Sequence, residues 1–430
     1  MRWLPSIRVT RSNQRTVATR IRKRFESPTS ETLTHRIIEE VRRNGDAAVL
    51  EYNRKFDRVN LSKGQLKITR AELERSTECV DENLLSALRK SLKRLETVQK
   101  ELLSRINYTT KLNEFTMKLA ANPIPSVGCY IPGGKAAYPS TVLMTAGIAK
   151  MARIPRIVIC TPPGSNGKVN DAILAAANLC GVNEVYRCGG AQAIAALAYG
   201  TETIPRVEKI VGPGGTYVSI AKRIVSRDIP IDFYAGPTEI VLFADKTANP
   251  TLAAWDLIAQ AEHGPDTLAC LVTCSTEVAA HVRSEISRIL PTVERRRYVQ
   301  ESLANGTAAI CENQETACEF INTIAPEHVE LLSKNSYELS KRINAAGLIL
   351  IGPYTPAAAS DYCVGTNHVL PTGGFAKNHG GLSILDFMKL TWTVTGTKRG
   401  LQNILNPVKT LTMKEGLPNH YNSIQARFER

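Results

Sequence analysis

The feature that most limits how this chain can fold is a change of rhythm near residue 125. From there, short apolar runs end in glycine turns and lead into helical patterns, at residues 126–134, 156–161 before Gly164, 184–188 before Gly189 and Gly190, and 209–215. Strand, glycine turn and helix at this spacing predict an α/β region built on a parallel sheet. A second block of the same kind follows, with strands expected at 239–244, 268–274 and 347–351. No GxGxxG fingerprint accompanies either block, so a standard dinucleotide-binding domain does not follow from motif alone.

Upstream, the pattern is helical. Residues 31–43 and 46–56 predict two helices, with Gly45 stopping the first and Asp46 capping the second. Residues 83–106 place Leu84, Leu85, Leu88, Leu92, Leu95, Leu102 and Ile106 on one face, opposite Arg89, Lys93 and Arg94, which is a packing pattern. After Phe387 the pattern is broken and mixed. A chain of 430 residues predicts two or more domains. No apolar run approaches the ~18 residues of a membrane span, so no membrane partner is expected.

The net charge of +14 is uneven, because residues 1–25 carry Arg2, Arg8, Arg11, Arg15, Arg20, Arg22, Lys23 and Arg24 and no acid. Such a start suits a transit peptide, a nucleic-acid arm or a basic surface segment. The last is favoured: no aromatic residues interleave the charges as a nucleic-acid interface would require, and helical patterning begins just after residue 30. Ten cysteines include no CxxC pair, and several fall in apolar strand-like runs, as expected for reduced thiols of a cytoplasmic protein.

Chemistry concentrates around His263, His328, His368 and His420, four of seven histidines, each beside carboxylates or amides. The segment 249–264 reads as a helix with Asn249 at its N-cap, Pro250 at its first turn and Gly264 at its exit. Gln260 and His263 then project from one face of its last turn, at a spacing that suits two ligands of one ion. Asp361 can add a carboxylate and His420 a second imidazole. That mixed set makes zinc the first choice, while manganese or cobalt also suits it. Glu327 and His328 follow Pro326 in an expected loop or helix start, and an adjacent acid and imidazole can divide two proton transfers. The stretch from Thr366 to Gly374 ends in glycines, as loops that wrap ligands often do.

In these segments, and in 127–134, 189–200, 235–239, 381–383 and 415–420, the chain resembles the histidinol dehydrogenase family, from about residue 20 to about residue 425. The resemblance implies a zinc- and NAD-dependent four-electron oxidation of L-histidinol through the aldehyde to L-histidine. It implies Gln260, His263, Asp361 and His420 as ligands of one zinc per subunit, His328 as the base for the alcohol and Glu327 as the activator of water. Thr238, His368 and Glu415 match further substrate contacts, and Gln260, His263, His328, Asp361 and His420 also face the substrate. Tyr130, Gln192 and Gly215 match the NAD contacts. Gly215 stands where the family usually has asparagine, and Thr238 where serine is commoner.

The implied fold is α/β, with two incomplete Rossmann-like domains, one inserted in the other, and a small tail formed by both chain ends. The expected boundaries are 1–25 for an N-terminal tail segment, 26–128 with 237–385 for the metal and substrate domain, 129–236 for the NAD-binding domain and 386–430 for a C-terminal tail swapped in a homodimer. A related zinc- and NAD-dependent dehydrogenase acting on another small alcohol, such as a sulfonated diol, is the rival reading. Glu415, placed to meet a substrate cation, favours an amino alcohol over an anion.

Overall fold

A computed structural model describes residues 3–23, 28–133 and 136–428. It divides into a larger unit, residues 1–99 with 124–387, and a smaller one, residues 100–123 with 388–430. Arg2, Arg24 and Gly134 lie outside the described residues.

The larger unit is built on two parallel sheets. The first runs, edge to edge, through Ser6–Val9, Thr307–Cys311, Leu268–Thr273, Glu239–Ala244, His328–Leu332 and Leu348–Ile351. Glu239–Ala244 and Leu268–Thr273 are buried at every position, as a sheet covered on both faces requires. Alternation sorts their side chains: Ile240 and Leu242 pack with Leu257 on one face, while Val241 and Phe243 pack with Phe320 on the other.

The second sheet has the order Glu184–Arg187, Arg156–Thr161, Ser126–Tyr130, Ile210–Val211. Helices Gly190–Tyr199 and Thr216–Val225 pack on it through Ile194, Leu197, Val218 and Val225. Only glycine fits at Gly212, where φ is +116° and a Cβ would meet the Tyr130 carbonyl oxygen at 2.2 Å. A buried ion pair fixes this turn. Lys222 Nζ donates to the Gly212 carbonyl at 2.8 Å, Asp232 accepts from Gly212 N at 2.9 Å, and the two charged groups also touch each other.

The smaller unit is an antiparallel sheet, ordered Met388–Gly396, Phe115–Pro123, Tyr108–Leu112, with helices Lys398–Asn403, Leu405–Lys414 and Pro418–Gln425. The sequence reading expected the two chain ends to share a tail, and here it needs correction. Ser6–Val9 is an edge strand of the six-stranded sheet, in register with Ala308 to Cys311, and Leu4 and Val9 are wholly buried. Leu4, Val9, Val17, Ala18 and Ile21 supply enough apolar surface to bury this segment, which its run of arginines conceals. The C-terminal residues instead join 100–123.

Within 28–52, two helices meet at Gly45, whose backbone (φ +52°) is not helical, as the sequence predicts, and a π-helical turn, Asn53–Asp57, follows in place of the second helix's last residues. The Asp46 carboxylate accepts hydrogen bonds from Thr201 and Thr203, a long-range partnership that overrides the expected local cap. The apolar stripe forms the helix Glu82–Ser104. Seven cysteines are buried, Cys363 is half-buried, and Cys79 and Cys274 are exposed, all as free thiols.

Candidate active site

A cavity of about 310 Å³ lies where the two parallel sheets of the larger unit face each other. Pro132, Gly133 and Gly215 line it from the carboxyl ends of the four-stranded sheet, where open α/β sheets bind ligands. Thr238, Thr267 and Glu327 line it from the turns that lead into strands of the six-stranded sheet.

Glu327 lies in the short turn after a helix, as expected, whereas His328 is in neither a loop nor a helix start. Helix Gln314–Ile324 ends at Ala325 in the left-handed region (φ 49°), Pro326 follows, and His328 opens the strand His328–Leu332 between Ile240 and Leu348. The apolar Val329, Leu331 and Leu332 pull this segment into the sheet, so both catalytic candidates are buried, 6% exposed for Glu327 and 2% for His328. Glu327 Oε2 accepts from the Glu239 backbone N–H at 2.9 Å, and Glu239 is itself held by Arg22 and by the Gly373 N–H.

His328 stands between two carboxylates. Its Nδ1 is 3.6 Å from Glu327 Oε2 and its Nε2 is 3.3 Å from Asp361 Oδ1, neither aligned as a hydrogen bond. Burial lowers the affinity of His328 for a proton, but Glu327 and Asp361 outweigh it and hold the imidazole well above its usual value. Burial likewise pushes Glu327 up, with His328 opposing.

Asp361 sits on the short helix Ala357–Tyr362. Gln260, buried on the helix Pro250–Ala261, donates Nε2 to Asp361 Oδ2 at 3.4 Å. The Asn249 cap and Pro250 start of that helix match the sequence reading. Burial raises Asp361, but His328, His368 and His263 bring it below its ordinary value; burial lowers His263 and leaves its ring neutral. His368 donates Nδ1–H to the Asp361 backbone carbonyl at 2.7 Å, because a carbonyl can only accept. Its Nε2 then accepts from the Thr141 hydroxyl at 3.1 Å. His368 lines the cavity with both ring nitrogens engaged, so it anchors Asp361.

Among the described residues, no three His, Cys, Asp or Glu side chains form a metal cluster. The larger unit nevertheless offers a mixed donor set around Gln260. Gln260 Oε1 and Asp361 Oδ1 are buried acceptors with no hydrogen-bond partner, and the neutral His263 ring lines the same cavity. Two oxygens and an imidazole suit zinc with a position left to fill. Glu415 and His420 are exposed residues of the smaller unit.

Of the cofactor candidates, Gly215 lines the cavity, with open space where a Cβ would stand. Tyr130 and Gln192 lie together near Gly190: the Tyr130 hydroxyl accepts from Gly190 N at 3.1 Å, and Gln192 Oε1 is buried without a partner. Thr141 and Glu239 escaped the sequence reading. Glu239 carried a usable signal, an acid at the head of an otherwise apolar strand, whereas Thr141 carried none.

Two parallel sheets and a cavity edged by a buried Glu-His-Asp cluster define an α/β protein of enzyme type. The sequence model of the family described as "Histidinol dehydrogenase" matches residues 20–428. The histidinol dehydrogenase of Lactococcus lactis subsp. lactis is 42% identical over 394 residues, covering 91% of this chain and 91% of its own. That of Oceanobacillus iheyensis is 43% identical over 395 residues, with 92% of each chain covered. The crystal structure of histidinol dehydrogenase from Elizabethkingia anophelis matches with a TM-score of 0.91 at 31% identity, covering 100% of this chain and 99% of that one. The chain belongs to the histidinol dehydrogenase family, whose members are oxidoreductases of histidine biosynthesis. The reading as a dehydrogenase of a sulfonated diol finds no support in these relatives.

Proposed function

We propose that this chain oxidises L-histidinol through L-histidinal to L-histidine, with NAD as oxidant and one zinc per subunit. The observation that carries the reading is the burial of His328 between the Glu327 and Asp361 carboxylates at the edge of the cavity. A hydride leaves readily only from an alkoxide-like carbon, so the first oxidation needs a base, and a buried imidazole flanked by carboxylates is stabilised in the state it reaches by taking that proton. The second oxidation starts from a hydrated aldehyde. Glu327, which burial holds above the usual carboxylate range, is suited to take the proton from water.

Gln260, His263 and Asp361 would hold the metal, with His420 of the partner subunit as the remaining ligand. Zinc, when bound, would fix the substrate's imidazole and amine as a template, and NAD would accept the hydride of each oxidation. Thr238, His368 and the partner subunit's Glu415 would contact the substrate, with His368 also holding Asp361, and Tyr130, Gln192 and the backbone at Gly215 would contact NAD. The domain reading that accompanies this assigns 129–236 to NAD, 26–128 with 237–385 to metal and substrate, and 386–430 to a tail swapped in a homodimer. Within the described residues no helix is long and apolar enough to cross a membrane.

Counting NADH formed per L-histidinol consumed tests the proposal. A ratio of about two supports the four-electron route, since each NAD takes two electrons. A ratio of about one places the end of the reaction at the aldehyde and refutes it.

A further inference from the structure

Behind the cluster lies a second pair of acids with no role in the steps above. Glu330 is two residues beyond His328 on the same strand, so the two side chains leave the same face of the sheet. It is 2% exposed. Asp256 precedes Gln260 by four residues on the helix Pro250–Ala261, which puts both on one helical face. Glu330 Oε1 accepts from Ala357 N at 2.5 Å, the first residue of the helix that carries Asp361 four positions later.

Glu330 Oε2 is buried and has no donor in the structure, and the side chain it meets is Asp256. Two facing carboxylate oxygens repel unless one keeps a proton; with a proton on Glu330 Oε2, the orphaned atom becomes a donor to Asp256. Burial first, and then Asp256, push Glu330 up to about 8, and burial raises Asp256 as well, in keeping with a retained proton.

We propose that Glu330 and Asp256 are positioning residues, a carboxylic acid hydrogen-bonded to a carboxylate that ties together the three elements bearing Gln260, His328 and Asp361. One side chain thereby reaches the strand of the base, the helix of the amide ligand and the start of the helix of the carboxylate ligand. The cost of burying two acids is offset by fixing the distances on which the metal donors depend. Groups behind metal ligands typically govern affinity in this way. The inference rests on the proposed zinc site and concerns only how this chain holds it.

The experiment compares wild type with Glu330→Ala, Asp256→Ala and Glu330→Gln, first by zinc retention against a chelator in titrations with the metal alone, then by kcat and KM for L-histidinol. Glu330→Gln keeps an oxygen for Ala357 N–H and gains an N–H for Asp256, so it should lie within about threefold of wild type in both measurements. Each alanine variant should lose about 10–100-fold in zinc affinity. For those that bind zinc, kcat should fall more than KM changes. Should an alanine variant fail to fold, Asp256→Asn and Glu330→Gln still decide, because each preserves one hydrogen bond between the pair and must retain zinc. Folded alanine variants with wild-type zinc affinity would overturn the inference, as would a Glu330→Gln protein that loses zinc. Absence of zinc binding or of NADH production by wild type would instead refute the function on which it rests.

Discussion

At the scale of single residues, the division of labour proposed for Glu327 and His328 rests on their surroundings. His328 faces a carboxylate on each side and is 2% exposed, so it is the group whose protonated state the site stabilises. Glu327 holds one oxygen to the Glu239 N–H, and burial raises its carboxyl, as suits a group that takes a proton from water. His328→Ala should therefore lower the oxidation of histidinol by about 10²–10⁴-fold, the usual contribution of a general base. Glu327→Gln keeps the acceptor for Glu239 N–H and should fold; it should slow oxidation of histidinal at least about tenfold more than that of histidinol. Rates with each substrate separately check this, and equal losses in the glutamine variant would count against it.

The identities of these residues were legible in the sequence because acids, amides and histidines cluster in short segments. Their environment was not. Nothing in the segment around Pro326 shows that His328 begins a central strand, since that depends on pairing with residues 88 positions earlier, His328 against Ile240. His368 is the same lesson: its place in a loop at the cavity was legible, but the partners of its ring nitrogens, Asp361 and Thr141, the latter 227 positions away, were not.

At the scale of elements, the strand, glycine turn and helix rhythm gave the parallel sheets nearly residue for residue at Arg156–Thr161 and Glu239–Ala244. It missed Ser6–Val9, Thr307–Cys311 and the antiparallel strands of the smaller unit, where short runs or charged neighbours mask the alternation. The helix Thr216–Val225 carries a testable consequence of a single position. Its N-cap, Gly215, has φ −65° and ψ −179°, extended backbone that any residue adopts, with open space at the Cβ position. Asparagine is among the preferred N-caps, so Gly215→Asn should leave the melting temperature unchanged or slightly higher. If this position contacts NAD, the added amide contributes roughly 0.5–1.5 kcal/mol and the KM for NAD should fall about two- to tenfold. An unchanged or higher KM in a protein of unaltered stability would remove Gly215 from the cofactor site.

At the scale of the whole molecule, the candidate site residues divide between the two units. Gln260, His263 and Asp361 belong to the larger, and Glu415 and His420 are exposed in the smaller. A zinc site that takes His420 from a partner makes activity a property of the dimer, and complementation can show it. His263→Ala and His420→Ala proteins, each expected to be inactive, are unfolded together and refolded as a mixture. Random pairing in a two-fold dimer makes half of the particles mixed, and in each mixed dimer one site carries both lesions while the other carries none. Activity should then recover to about a quarter of a wild-type control refolded in parallel. Zinc content should rise in step, because only the intact sites hold the full ligand set. If the control recovers fully while the mixture stays inactive, each site is built within one chain, and His420 of the same chain would have to supply the ligand.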